Sequence, residues 1–269
     1  MRYTVVIPVL NQLHYTQQSV HSMLARGIPA ESLLVIDNGS TDDTPEWLAT
    51  QPGIRSVRNP VNLGCGGAWT QGALLADSEW VVLLNNDILC GHDFISAQLD
   101  AADREQLQVV SPSMIELDLD YVIEEFTEEF LEKMQGTLRE GWFHGVCFSV
   151  RRTVFELLGF PDTDRLLFGR EDAEFRARCL HHGLKVGTVG DAFIHHFGSI
   201  TQIAMKQELG VDKLGDHRYF YRKLGLGWWG RQQAKFARKA QAEHWVREER
   251  ARHGFTMHMV HRAGQIDYR

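Results

Sequence analysis

The chain has 269 residues, is 43% apolar and 23% charged, and carries a formal net charge of −7, which suits a globular domain with a full hydrophobic core. That charge argues against nucleic acid as a partner, since phosphate backbones call for a basic surface. No apolar run approaches the roughly 20 residues that span a bilayer, and Cys65, Cys90, Cys147 and Cys179 form no CxxC pair and read as reduced thiols.

The first residues, Met1-Arg2-Tyr3-Thr4-Val5-Val6-Ile7-Pro8, read as a strand and not as a leader peptide, so the expectation is a cytoplasmic protein. Short runs rich in Val, Ile and Leu predict strands at Tyr3–Val9, Leu33–Asp37, Ile54–Asn59 and Trp80–Asn85. Amphipathic stretches at Tyr15–Arg26, Thr44–Thr50 and Gly66–Ala76 predict helices between them. Thr41, Asp42, Asp43 and Pro45 suit the start of the second, where caps and negative charge are favoured. Alternating strands and helices predict an α/β fold with a mostly parallel sheet covered on both faces. Further on, Val122–Met134 reads as an acidic amphipathic helix, Phe143–Val150 as a strand, Arg170–His182 as a helix and Lys185–Val189 as extended. Asp212–Arg252 reads as two helices joined around Gly225–Gly230. The simplest division is a domain over residues 1–211 with a helical extension over 212–269.

Ligands of such sheets bind outside the carboxyl ends of the strands. Here those ends carry Pro8 and Asn11, then Asp37-Asn38-Gly39-Ser40, then Asn59, Asn62 and the glycines at 64, 66 and 67, and then Asn85-Asn86-Asp87. Asp37 can accept a hydrogen bond from a nucleobase N–H, or simply close its own turn. Asp87 can ligate a hard cation such as Mg2+ or Mn2+ that bridges two phosphates, or serve as a polar strand cap, with Asn85 supplying a neutral oxygen or orienting it. Gly64 and Gly67 belong to a run that lets backbone approach a sugar or pyrophosphate, although it matches neither GxGxxG nor the Walker pattern. Glu171, Asp172 and Glu174 open a helix, where they read equally as capping charge or as the source of a general base. His195-His196 follows an apolar segment and offers an imidazole ligand or a structural pair. Cys147 and Ser149 have no recognisable catalytic partner, which leaves a nucleophilic hydrolase unsupported.

Taken in order, these segments resemble glycosyltransferase family 2. The likeness runs from Thr4–Asn11 through Val35–Asp42, Asn59, Asn62-Leu63-Gly64, Gly66-Gly67 and Leu84–Asp87. It continues through Gly145, Arg151-Arg152, Leu158–Phe160, Phe168, Glu171-Asp172, Arg176 and Asp191–His196. The resemblance implies a GT-A-type, Rossmann-like fold and an inverting, Mn2+- or Mg2+-assisted transfer of a sugar from a nucleotide diphosphate donor. It implies a nucleobase contact at Asp37, metal at Asp87 and His195 (with His196 as the alternative), and a base at Asp172 beside Glu171. Pro8, Asn11, Asn38, Asn62, Gly64, Gly67, Asn85 and Asn86 fall in its donor site. The acceptor would be a glycan, a lipid-linked sugar or a protein.

The chain departs from that pattern at Asn85-Asn86-Asp87, where Asp-x-Asp is usual; the Asn-first version resembles a rhamnosyltransferase-like branch. Trp69 is bulky for its place and is expected to narrow the sugar pocket, and the acidic segment Tyr121–Met134 is a candidate part of the acceptor site. Aromatic and basic residues at Tyr219–Lys223, Trp228-Trp229 and Arg231–Lys239 suit either peripheral contact with anionic lipid or a helix packed on the domain through its tryptophans. A noncatalytic nucleotide-sugar-binding or partner-docking protein is the alternative function, disfavoured by the intact Asp87, Asp172 and His195. A nucleotidyltransferase would need a basic glycine-rich loop that Pro8-Val9-Leu10-Asn11 does not offer.

Overall fold

The computed structural model describes the backbone of residues 1–269 and every side chain except that of His217. In chain order come β1 (Tyr3–Val9), α1 (Leu13–Ala25), β2 (Leu33–Asp37), α2 (Thr44–Ala49), β3 (Arg55–Arg58), α3 (Gly64–Leu75), β4 (Trp80–Leu84) and β5 (Ile88–Cys90). Then follow α4 (Phe94–Glu105), β6 (Val109–Leu117), α5 (Ile123–Met134), β7 (Leu138–Glu140), β8 (Cys147–Arg151), α6 (Arg152–Leu158) and α7 (Glu171–His181). The chain ends with β9 (Val186–His196), α8 (Ile200–Leu209), α9 (His217–Lys223), α10 (Trp228–His253), β10 (His258–Arg262) and β11 (Gln265–Tyr268).

The first strands are apolar throughout because both their faces are covered. Val5, Ile7 and Leu33 pack with Val20, Met23, Phe94 and Leu99 on one side of the sheet. Val6, Leu34 and Leu83 pack with Ala68, Ala73, Phe148 and Phe175 on the other. Parallel pairing of β1 with β2 and β4, and of β2 with β3, brings their carboxyl ends to one edge. The expected parallel sheet holds across this half. Beyond it the sheet is mixed, because β8 lies antiparallel between β4 and β6, whereas β6 pairs in parallel with β9 and β10.

Two expectations change. Residues 212–269 are helical only as far as His253; β10 then joins β6 and β11 returns antiparallel, so the division at 211/212 does not separate this region from the sheet. Arg139 and Glu249 pin the end of α10 through a buried ion pair with a 2.7 Å Nη2–Oε2 contact, and Glu249 also accepts the Met257 N–H at 2.9 Å. The strand predicted at Lys185–Val189 is longer, reaching His196 as β9. The acidic segment forms the expected amphipathic helix, α5, which buries Thr127, Phe130 and Met134; Phe130 and Met134 join Phe193, Phe255 and Met257 in a third apolar cluster.

Close packing of α3 on β1 depends on Gly72, where a Cβ would lie 2.1 Å from Val6 Cγ1. Gly72→Ala therefore overpacks this layer and is expected to lower stability by about 1–3 kcal/mol, read from the midpoint of urea unfolding. An unchanged midpoint would contradict the packing of this layer.

Candidate active site

The carboxyl ends of β1, β2 and β4 open onto a cavity lined by Pro8, Asn38, Asn62, Asn85, Asn86 and Asp87. Its opposite wall comes from Phe168 and Ser199 and from Thr201, Gln202 and Met205 of α8. Those α8 residues carried no signal in the sequence, because contact across the cavity depends on how the chain returns after β9. Asn11, Asp37, Gly64 and Gly67 do not line the cavity. Asn11 ties two loops together, donating its N–H to Ser40 Oγ at 2.8 Å and accepting the Thr41 N–H at 2.7 Å. Asn38 donates to the Gly64 carbonyl at 3.1 Å, and Asn62 accepts the Gly64 N–H at 2.8 Å. Gly64 has φ 80°, the left-handed region that glycine enters freely.

The other glycines of that run serve packing. A Cβ on Gly66 would lie 2.2 Å from the Asp162 carbonyl oxygen, and one on Gly67 would lie 2.8 Å from Leu63 Cβ. Trp69 is turned into the core against Phe148, with ring centroids 5.3 Å apart, and it does not line the cavity. Asp37 is buried at the end of β2. Its Oδ1 accepts the Ser40 N–H at 2.8 Å, whereas Oδ2 faces Arg58 Nε at 3.4 Å with no hydrogen bond among the described residues. An acceptor atom left in that state suits a donor group from a ligand.

Asp87 follows β4 and is buried. Its Oδ2 accepts the Ile200 N–H at 3.2 Å, and its Oδ1 lies 3.3 Å from His196 Nε2. His196 reaches Glu116 of β6 with its other nitrogen, at 3.0 Å, and Glu116 in turn meets His258 Nε2 of β10 at 2.9 Å. Burial opposes charge on Asp87, His196 and Glu116, but their neighbours outweigh it. Burial alone would lower His196, yet the Asp87 and Glu116 carboxylates raise it to about 9. Burial would raise Asp87, yet His196 and the Ile200 N–H hold it below its ordinary value. Glu116 is held well below the carboxylate range by His196 and His258.

The structure places His196, the alternative histidine, and not His195 beside Asp87. Successive residues of a strand point to opposite faces, and His195 points away from Asp87 to meet Tyr121 Oη at 2.7 Å through Nδ1. Burial and the His196 charge lower His195 to about 4. A divalent cation fits the other pair. One carboxylate oxygen and one imidazole nitrogen converge at Asp87 and His196, and Glu116 holds the imidazole from behind, as the outer partners of metal-bound histidines do. Glu116 and His258 were not singled out from the sequence. Among the described residues no cluster of three or more His, Cys, Asp or Glu ligands occurs, so the remaining ligands would have to come from the bound diphosphate or water.

The second acidic centre lies at the start of α7. Asp172 packs over Gly145, where a Cβ would come within 2.5 Å of its Cγ; Glu171 is buried beside Gly66. Cys65 lines the cavity with Asp87, and its neighbour Gly66 packs against Glu171. Burial raises the Cys65 thiol well above the ordinary value, and Glu171, Asp172 and Asp87 all raise it further. Burial, reinforced by Asp172, lifts Glu171 itself to about 7.

That shift has a sign. The unfolded carboxyl ionises near its ordinary 4.5, whereas the folded one keeps its proton to about 7. Folding thus favours the proton, and stability is lost as pH rises through that window. Glu171→Gln keeps an uncharged group in place and is expected to stabilise the protein by about 1–3 kcal/mol above the window and by almost nothing below it, read as unfolding midpoints across pH. Equal differences at all pH values would contradict the assignment.

Residues 4–121 match the family model described as glycosyl transferase family 2. The N-acetylglucosaminyl-diphospho-decaprenol L-rhamnosyltransferase of Mycobacterium tuberculosis is 27% identical over 237 residues, covering 74% of this chain and 76% of that protein. Among solved structures, GalNAc-T7 with UDP, GalNAc and Mn2+ gives a TM-score of 0.56 at 18% identity, covering 72% of this chain and 42% of that one. The mannosyltransferase PcManGT from Pyrobaculum calidifontis, in complex with GDP-Man and Mn2+, gives 0.57 at 21% identity, covering 76% of this chain and 59% of that one. The chain thus spans less than two thirds of either structure, and at these identities the likeness is one of fold, the GT-A type. Residues 4–121 thus match the glycosyl transferase family 2 model, within a chain that has the GT-A-type fold.

Proposed function

We propose that the protein transfers a sugar from a nucleotide diphosphate donor to an acceptor hydroxyl with inversion, using Asp172 as base and a divalent cation held by Asp87 and His196. The observation that carries this reading is the placing of two acidic elements at one cavity: Asp87, from a strand end, lines it with Cys65, and Gly66, the next residue, packs against Glu171 at the start of α7. In a single displacement the base and the leaving group act on opposite sides of the sugar carbon, so carboxylates from separate halves of the chain suit it.

The donor would lie in the cavity beneath α8, with its diphosphate near Asp87 and its base toward Asn38 at the end of β2, next to the buried Asp37–Arg58 pair. Mn2+ or Mg2+ bound there would neutralise the charge that gathers on the departing nucleoside diphosphate. Asp172 would take the proton of the acceptor hydroxyl as its oxygen bonds to the anomeric carbon. The carbon–oxygen bond to the β-phosphate then breaks, and its electron pair leaves on the diphosphate. Gly145 gives the Asp172 carboxylate room to hold that position. The mycobacterial relative and the Asn85-Asn86-Asp87 pattern favour a deoxyhexose donor and an acceptor sugar carried on a lipid diphosphate.

The test pairs a panel of nucleotide sugars with Mn2+ and lipid-linked or simple glycan acceptors, following released nucleotide with and without EDTA. Asp172→Asn is expected to lower turnover by about 10²–10⁴-fold while leaving donor affinity nearly unchanged by calorimetry. Undiminished transfer by this variant would overturn the base assignment.

A further inference from the structure

We propose that the first half of α10 and the adjoining turn dock the protein onto an anionic phospholipid surface. Residues 218–239 carry seven Arg and Lys and no Asp or Glu, within a chain whose net charge is −7. The tryptophans of this segment are not packed into the domain: Trp228 is 55% exposed, Trp229 is 75% exposed, and Phe236 is 72% exposed. Residues 233–241 are exposed without interruption although they are helical, and Phe236 projects away from the groove that Lys235 and Arg238 line. Trp229 and Phe236 stand seven residues apart, two turns along one side of the helix, with Lys235 and Lys239 flanking them.

Large aromatics on a helix bordered by cations match the boundary between lipid headgroups and acyl chains, where the ring is buried and the ammonium meets phosphate. Part of the charge is already satisfied, since Lys223 pairs with Asp162 and Lys239 faces Glu243 at 3.7 Å. Arg231, Lys235 and Arg238 enter no ion pair among the described residues. A symmetric contact between two copies of this face would set cation against cation, whereas an anionic leaflet complements it. The face lies close to the acidic centre of α7. Tyr219 of α9 holds Asp164 at 2.5 Å, and a groove lined by Arg170, Arg176, Leu180, Phe220, Lys235 and Arg238 runs between α7 and the two helices. Docking would thus bring membrane-borne molecules beside the start of α7. It goes beyond the proposed transfer, and lipid binding can be measured without any sugar donor.

The experiment is cosedimentation of the full chain with vesicles of phosphatidylcholine alone and with about one third phosphatidylglycerol, at low and high salt. We expect binding to the anionic vesicles only, weakened by salt, with a blue shift of tryptophan emission. Lys235→Gln with Lys239→Gln is expected to weaken it about tenfold or more. Trp229→Ser with Phe236→Ser should abolish the spectral shift and most of the binding while leaving the unfolding midpoint in place. No binding to anionic vesicles, equal binding to both compositions, or full binding by the aromatic variant would overturn the proposal. A concentration-dependent dimer that Trp229→Ser dissolves, without lipid binding, would assign the face to a second copy instead.

Discussion

One buried imidazole holds this site together. His196 lies between Asp87 and Glu116, 3.3 Å from the first and 3.0 Å from the second, and all three side chains are largely removed from water. Burying a lone carboxylate costs several kcal/mol, and here each carboxylate is offset by the same ring. The result joins the end of β4 to β9 and β6, and through Glu116 and His258 to β10 as well. The penultimate strand of the chain therefore supports the first acidic centre, although His258 and Asp87 are about 170 residues apart in sequence. The same arrangement explains how a divalent cation would be received, since it would replace the proton that His196 shares with Asp87.

The second centre is built by close approach and not by charge pairing. Gly145 and Gly66 leave the space that Asp172 and Glu171 occupy, and any larger residue at either position would press on those carboxylates or on the Asp162 carbonyl. Gly66, in a run first read as room for a ligand, gives room to Glu171 and the Asp162 carbonyl. The site thus depends on parallel strand ends on one side and on small residues on the other, with Cys65 and Gly66 between them.

Much of this was legible in advance where local chemistry and topology agree. The strand ends at Asp37 and Asp87 follow from short apolar runs that stop at polar turns, and a parallel sheet must place such ends on one edge. Three features were hidden for physical reasons. Every residue of β9 is buried, so its hydropathy does not alternate and gives no parity with which to choose His196 over His195. The β10–β11 hairpin turns through Ala263 and Gly264, both at positive φ, where an Asn-Gly pair would have signalled it; Ala263 is held there by its N–H bond to Asp118, 2.7 Å long. Trp69 follows the glycine run in sequence, but the helical turn carries it to the core face of α3.

The cation site at Asp87 and His196 is the central claim, and electron paramagnetic resonance of Mn2+ titrated with UDP, GDP or dTDP tests it most directly. His196→Ala is predicted to weaken Mn2+ binding by about 10–100-fold, whereas His195→Gln, which changes the contacts with Tyr121 and Phe197 on the side away from Asp87, leaves it within a few-fold of the parent. The opposite pattern, with His195→Gln abolishing the bound-manganese signal and His196→Ala retaining it, would contradict the account.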